Sequence, residues 1–327
     1  MTYYLLSLIY AVVTSIRNFL FDTGIFAAQK LPVPVISVGN ITAGGAGKTP
    51  MVLLIAEILK SAGKPFGVLS RGYGRKSVVP FTLRSSKEVT AQQIGDEPKM
   101  IGEKTGCALG IGGNRVRIGK LLLLKTGPLP LVLDDGFSHR WVRRNLDLLL
   151  IDGANPWGKG MLPYGTRRET LGNVRRADAA VITRDTPDLD DTAIRHKLAR
   201  LRFSKPLFTA RRVPDGIVEP DGSVKQPSDY AAKPFYLFSA IADGERFERY
   251  AKSLGLSVKG SISYMDHFVF DVAEIAQIRK NAGEALLLTT EKDFYRLGPL
   301  AAEIRYLKIR LEVDQAEAFK RLILDCV

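Results

Sequence analysis

Cysteine is almost missing from this chain of 327 residues: Cys107 and Cys326 are the two, and no CxxC pair occurs. That excludes a disulfide framework, a cysteine zinc site and a dithiol redox centre, and it suits a reducing compartment. Histidine is nearly as scarce, with His139, His196 and His267 alone. A metallochaperone needs clusters of Cys or His, and none is available. No internal repeat at a fixed period and no low-complexity tract occurs, which removes solenoids and disordered arrays. Aromatics are not interleaved with the basic residues, as a stacking platform for RNA or single-stranded DNA requires. Apolar runs stay short of the roughly 20 residues that span a bilayer. The N-terminal run has no basic segment before it and no small-x-small cleavage site after it, which argues against a signal peptide.

What is present is a globular composition, 46% hydrophobic and 25% charged, with a formal net charge of +13. The length favours two domains over one. The basic excess points to an anionic partner: nucleic acid, an acidic membrane surface or a phosphorylated substrate. Residues 3–16, YYLLSLIYAVVTSI, are almost all apolar. Leu5, Ile9, Val12, Ile16 and Leu20 recur at helical spacing, and Ser7, Ala11, Thr14 and Asn18 form a narrow small or polar stripe opposite them. The pattern predicts a helix lying in a membrane interface and admitting a lipid, with docking on the domain core as the competing expectation.

Further along, β-branched runs at 31–39, 66–70, 129–133, 146–151 and 179–183 predict strands, and residues 50–62 predict a helix. Strands alternating with helices make the fold class α/β, a mostly parallel sheet covered on both faces. Around 206–224 two Pro-Asp-Gly sequences fall among β formers, which predicts a hairpin or linker at a domain boundary. A smaller α/β unit follows it. The expected organisation is therefore a membrane-associating helix over 1–27, a P-loop domain over 28–205, and a linker hairpin with a second α/β domain over 206–327.

The strongest local signal is Thr42-Ala43-Gly44-Gly45-Ala46-Gly47-Lys48-Thr49, between a strand and a helix. The glycines let backbone N–H groups turn onto phosphate oxygens, and the helix N-terminus favours negative charge. Lys48 is placed to reach the β- and γ-phosphates, and Thr49 to hold Mg²⁺. Thr42 stands where the usual pattern begins with glycine. Asp134 and Asp135 end an apolar strand in LPLVLDDG, where a metal partner belongs. The segment VITRD is a poor guanine reader, so ATP is favoured over GTP. A kinase also needs a group to take the acceptor's proton. Asp96 and Glu97 in GDEP, and Asp266-His267 in SYMDHF, are the candidates. Basic residues recur in expected loops: Arg71 and Arg75, Arg115 and Arg117, Arg140 with Arg143 and Arg144, Arg167 with Arg168, and Arg175 with Arg176. Arginine's forked donors suit phosphate.

Taken in order, LPVPVISVGNITAGGAGKTP, LSRGYGRK, GDEP, LDDGFSHR, LPYGTRRE, RRAD, SYMDHF and TTEKD cover most of the chain. In these motifs it resembles the tetraacyldisaccharide 4′-kinase family, the lipid A 4′-kinases of Gram-negative bacteria. It departs from the family at Ser138, where the family has Gln, and at 167–170, where Arg-Arg-Glu-Thr replaces Leu-Arg-Glu-Pro. The resemblance implies transfer of the ATP γ-phosphoryl group to the 4′-hydroxyl of an acylated disaccharide 1-phosphate lipid. It implies Asp96 as proton acceptor assisted by His267, and Arg115 as a clamp on the γ-phosphate or substrate. Thr49, Asp135 and Glu169 become the Mg²⁺-shell residues, with Glu97 and Asp134 in support. It also implies residence on the cytoplasmic face of the inner membrane, peripheral or monotopic, with no nucleic acid and no obligatory protein partner. The alternatives are another P-loop NTPase, such as a nucleic-acid-stimulated ATPase or a metallochaperone, and a non-catalytic membrane-surface scaffold.

Overall fold

The computed structural model describes all residues except 1, 78, 87–88, 186–188 and 231–232. Helix α1 (Thr2–Asp22) leads into β1 (Val35–Gly39), α2 (Lys48–Ser61), β2 (Gly67–Ser70) and β3 (Phe81–Leu83). Then come α3 (Ala91–Ile94), α4 (Asp96–Thr105), β4 (Ala108–Ile111), α5 (Arg115–Thr126), β5 (Leu131–Asp134) and β6 (Leu146–Asp152). After β7 (Ala179–Arg184) and α6 (Thr192–Arg200) the long β8 (Leu207–Val218) turns into β9 (Val224–Lys225). The remainder is β10 (Phe235–Ser239), α7 (Gly244–Ser253), β11 (Val258–Ser263), α8 (Val272–Ala282), β12 (Leu286–Thr290), α9 (Glu291–Leu297), β13 (Arg305–Val313) and α10 (Ala316–Leu324).

All these strands belong to one sheet in the order β11-β10-β12-β13-β8-β7-β6-β1-β5-β2-β4-β3, with β9 beside β8. From β8 to β4 the neighbours are parallel, and so are those from β11 to β13. The sequence explains this. Strand β6 is LDLLLID, buried along nearly its whole length, as a strand covered on both faces must be.

The expected hairpin near 206–224 is present as β8 and β9, and the sheet continues through it. Strand β8 runs parallel to β7 on one side and antiparallel to β13 on the other, so the two units share a continuous sheet. The first Pro-Asp-Gly is not a turn: it lies within β8, where Pro214 faces Ile309 at a register shift and Gly216 has φ +100°. The second is the hairpin turn, closed by Glu219 N–H donating to Ser223 O. The last helix also crosses the expected boundary. Phe319 and Ile323 of α10 join Met51, Ile55 and Leu59 of α2 in the core of the first unit.

In helix α1 the polar stripe, not the apolar one, faces the protein. Ser7, Thr14 and Asn18 are its buried residues. Leu5, Ile9, Val12 and Ile16 are each more than half exposed. The helix thus docks on the protein by its polar stripe and leaves its apolar face outward. At 21 residues it is also long and apolar enough to cross a membrane, by length and composition.

Candidate active site

The chain's phosphate loop leaves β1 and enters α2 with Gly44 at φ +117° and Gly47 at φ +81°. Both are backbone conformations that side chains resist. Thr42 needs no such freedom, because it forms an antiparallel bridge with Arg167. Its extended backbone explains why glycine is dispensable there. Ala43 N–H donates to Thr166 O at 2.6 Å, fixing the base of the loop. Lys48 Nζ donates to Asn40 Oδ1 at 3.1 Å and lies 3.7 Å from Asp135 Oδ1. Thr49 is buried in the first turn of α2. Arg212 holds the loop from the far side, donating to Gly45 O at 2.8 Å. Asp185 of VITRD is bound by Arg212 and Arg246, so its carboxylate is committed to an ionic lock and not to reading a base.

Strand β5 delivers Asp134 beside this loop. Its Oδ2 accepts from Ser70 Oγ at 2.9 Å, while its Oδ1 is buried with no partner among the described residues. Burial pushes this carboxyl up to about 7, and the neighbouring Glu97 and Asp135 charges push the same way. Three acids held this close suit a cation between them. Asp135, in the left-handed region at φ +53°, accepts from Arg168 Nη1 at 2.6 Å. Burial raises its pKa, but Lys48 and Arg168 outweigh that and hold it below the ordinary carboxylate range.

Across from these groups, α4 and α9 pack together and join the two units. Gly95 ends the approach to α4 at φ +98°, where a Cβ would sit 2.9 Å from Tyr73 O. Asp96 then opens α4. His267 Nδ1 donates to Asp96 Oδ2 at 3.0 Å, and its Nε2 lies 3.5 Å from Lys292 Nζ. Arg296 Nε donates to the same Asp96 oxygen at 2.8 Å. Both contacts fall on Oδ2, which leaves Oδ1 for another partner. Burial raises the Asp96 pKa. The His267 hydrogen bond and the Arg296 charge outweigh it and hold the carboxyl below its usual value.

These features together describe a phosphate-binding loop facing an ionised carboxylate backed by histidine. The chain matches the model of LpxK, tetraacyldisaccharide-1-P 4′-kinase, over residues 1–327. It belongs to this family. A tetraacyldisaccharide 4′-kinase of Syntrophus aciditrophicus is 36% identical, with 98% of this chain and 91% of that protein covered. One from Chlorobaculum parvum is 32% identical, with 97% and 92% covered. The crystal structure of "apo" form LpxK from Aquifex aeolicus in complex with ATP matches with a TM-score of 0.81 at 30% identity, covering 98% of this chain and 97% of that one. The chain is accordingly a tetraacyldisaccharide 4′-kinase, and the readings as metallochaperone, nucleic-acid-stimulated ATPase and non-catalytic scaffold fall away.

Within the kinase, Lys48, Thr49, Asp134, Asp135 and Glu97 gather around the phosphate loop. Glu97 reaches the group from α4, 3.4 Å from Lys292. Glu169 faces α1. It is fully buried, and its oxygens accept from Arg17 at 2.9 Å, Asn18 at 2.6 Å and Asn173 at 2.7 Å. Its carboxylate anchors α1. Arg115 is buried next to the carboxylate pair, donating to Gly113 O at 3.3 Å.

The sequence motifs do not single out Arg296 and Lys292, although Lys292 lies in TTEKD and Arg296 just beyond it. That motif is also a helix start: Thr290 Oγ1 accepts from Asp293 N–H, and Asp293 Oδ2 accepts from Ala240 N–H. Arg296 Nη1 donates to Ala240 O and to Asp293 Oδ1, and Ala240 O also accepts from His267 N–H. Arg296 therefore positions both members of the Asp96–His267 pair. Arg296→Gln removes a charge that lowers the Asp96 pKa, so that pKa rises. The acid limb of the kcat/KM profile should move to higher pH, and an unchanged limb would contradict the assignment.

Proposed function

We propose that ATP is the donor and that Asp96 is the group that receives the acceptor's proton. The supporting observation is the contact of Asp96, opening α4 beside Glu97 and Asp134, with His267 of the second unit. The acceptor's 4′-oxygen forms a bond to the γ-phosphorus of ATP as the bond from that phosphorus to the bridging oxygen breaks. The hydroxyl proton passes to Asp96 Oδ1, and ADP leaves with the electron pair. His267 and Arg296, both on Oδ2, aim the free oxygen and keep the carboxylate ionised. Lys48 and the loop N–H groups stabilise the charge that grows on the phosphates.

The residues present fit Mg²⁺. Thr49, Asp134 with its unpartnered Oδ1, and Asp135 would hold the ion, with Glu97 behind them. Three protein ligands leave positions for waters and phosphate oxygens, which suits Mg²⁺. Its contribution when bound is to neutralise phosphate charge.

The test of the reaction is transfer of labelled γ-phosphate from ATP to a tetraacyldisaccharide 1-phosphate in detergent micelles. ATP hydrolysis with no labelled lipid would count against it.

The outward apolar face of α1 supports seating on an anionic membrane surface, where the basic excess also acts. Deleting α1 is a poor test, because it uncovers the buried Glu169. Replacing Ile9, Val12 and Ile16 together by Gln spares the docked stripe. Three exposed apolar side chains removed should weaken co-sedimentation with anionic vesicles by about tenfold or more. Unchanged partition of the folded variant would refute the seating.

A further inference from the structure

The phosphate loop is held from behind at two successive carbonyls. Arg212 of β8 donates from Nη2 to Gly45 O at 2.8 Å. Thr183 of β7 donates from Oγ1 to Ala46 O at 3.1 Å. In a planar trans peptide the C=O and the following N–H point in opposite directions. Anchoring these carbonyls therefore fixes the direction of the Ala46 and Gly47 N–H groups, the kind of donor that a phosphate loop presents to an anion. The guanidinium also packs directly on the loop: a Cβ at Gly47 would lie 3.2 Å from Arg212 Nη2.

Arg212 is in turn held by the second unit. It is buried, and its Nη1 donates to Asp185 Oδ1. The other oxygen of Asp185 accepts from Nε of Arg246, in the first turn of α7. The Arg246 fork also grips Asp152 at the end of β6, with Nη1 to Oδ2 at 2.9 Å and Nη2 to Oδ1 at 3.2 Å. One turn along α7, the Tyr250 hydroxyl donates to Arg212 O at 3.3 Å. Helix α7 is part of the second unit's core, where Phe247 and Ala251 pack with Phe235, Leu237 and Leu256.

Burial raises the Asp185 pKa. The Arg212 charge and the Arg246 hydrogen bond outweigh it and hold the carboxyl below its usual range. Asp185 is therefore an ionised link between two cations. Counting Asp152, the cluster holds two positive and two negative side chains, so it adds little net field at the loop. Its effect there is one of position. Breaking such a cluster at one member leaves a partly buried charge unpaired, so its members fix one another in place.

We propose that Arg246 is a positioning residue for the nucleotide: through Asp185 and Arg212 it sets the phosphate loop from the second unit. The same unit carries His267, so its docking places both the donor site and the partner of Asp96. The inference rests on the reading of ATP as donor and adds a determinant of its binding that lies outside the loop.

The test is equilibrium binding of ATP to the full-length enzyme, with steady-state kinetics and a thermal melt beside it. Arg246→Met keeps the apolar stem and removes the fork. It should raise Kd and KM for ATP about tenfold, the loss expected for one charge-assisted contact, and leave KM for the lipid acceptor unchanged. Arg246→Lys keeps the charge but cannot grip two carboxylates at once, so most of the loss should remain. Asp185→Asn keeps the shape and weakens the same link from the first unit, and it should raise the ATP Kd in the same direction. Wild-type affinity in Arg246→Lys would make Arg246 a distant charge and overturn the positioning role. A lowered melting temperature with the ATP Kd unchanged would show a bond between the units alone, and overturn it too. If Arg246→Met does not fold, an unchanged Kd in Asp185→Asn has the same force. Wild-type enzyme that binds no ATP would overturn the donor reading itself, and this inference with it.

Discussion

Lys48→Ala should lower kcat by about 10²- to 10³-fold, the loss typical of removing one fixed donor from a charge-developing site. Lys48 Nζ rests on Asn40 Oδ1 and near Asp135, so its ammonium is held in the mouth of the loop before any phosphate arrives. It is also one of the cations that lower the Asp134 pKa, against burial and two neighbouring acids. Removing it should therefore push Asp134 further up, and the variant should lose most activity at the acid end of the pH range. Folding should be nearly intact, because the core of α2 is built by Met51, Val52, Ile55, Ala56 and Leu59, not by Lys48. The check is single-turnover phosphoryl transfer beside a thermal melt. Full kcat with a normal melt would remove Lys48 from the chemistry.

Asp96→Asn should cost about 10²- to 10⁴-fold in kcat, the range for a positioned general base, with KM for ATP little changed. Asparagine is the informative replacement because Arg296 is almost fully buried and bridges Asp96 and Asp293. An alanine would leave part of that guanidinium unsatisfied and confound chemistry with stability. The asparagine Oδ1 can still accept from Arg296 or His267 but cannot take a proton from the acceptor hydroxyl. A rise in KM for ATP with kcat preserved would show that Asp96 binds nucleotide and that the base lies elsewhere. Glu97 would then be the next residue to replace, since it stands on the same helix turn beside Lys292.

The sequence alone determined the parts whose physics is local. A glycine-rich turn between a β-branched strand and an apolar helix can be read directly, because φ > 0 and helix-start geometry are properties of a few consecutive residues. The same holds for Asp134 at the end of an apolar strand, and for the parallel sheet implied by alternating periods. Family motifs further narrowed the roles of Asp96 and His267. What the tertiary structure decided depends on partners distant in the chain. Asp96 meets His267 across 171 positions and Arg296 across 200, and no periodicity encodes that meeting. The contacts of Glu169 were hidden for the same reason: nothing local pairs it with Arg17 and Asn18. That anchoring also decides α1. The helix carries an apolar stripe and a polar stripe, and burial preference alone would turn the apolar one inward. A buried anion waiting for Arg17 and Asn18 turns it outward instead. The join between the two units was likewise hidden, because β8 reads as a linker by its Pro-Asp-Gly sequences and becomes a strand only when β7 and β13 supply hydrogen bonds on both of its edges.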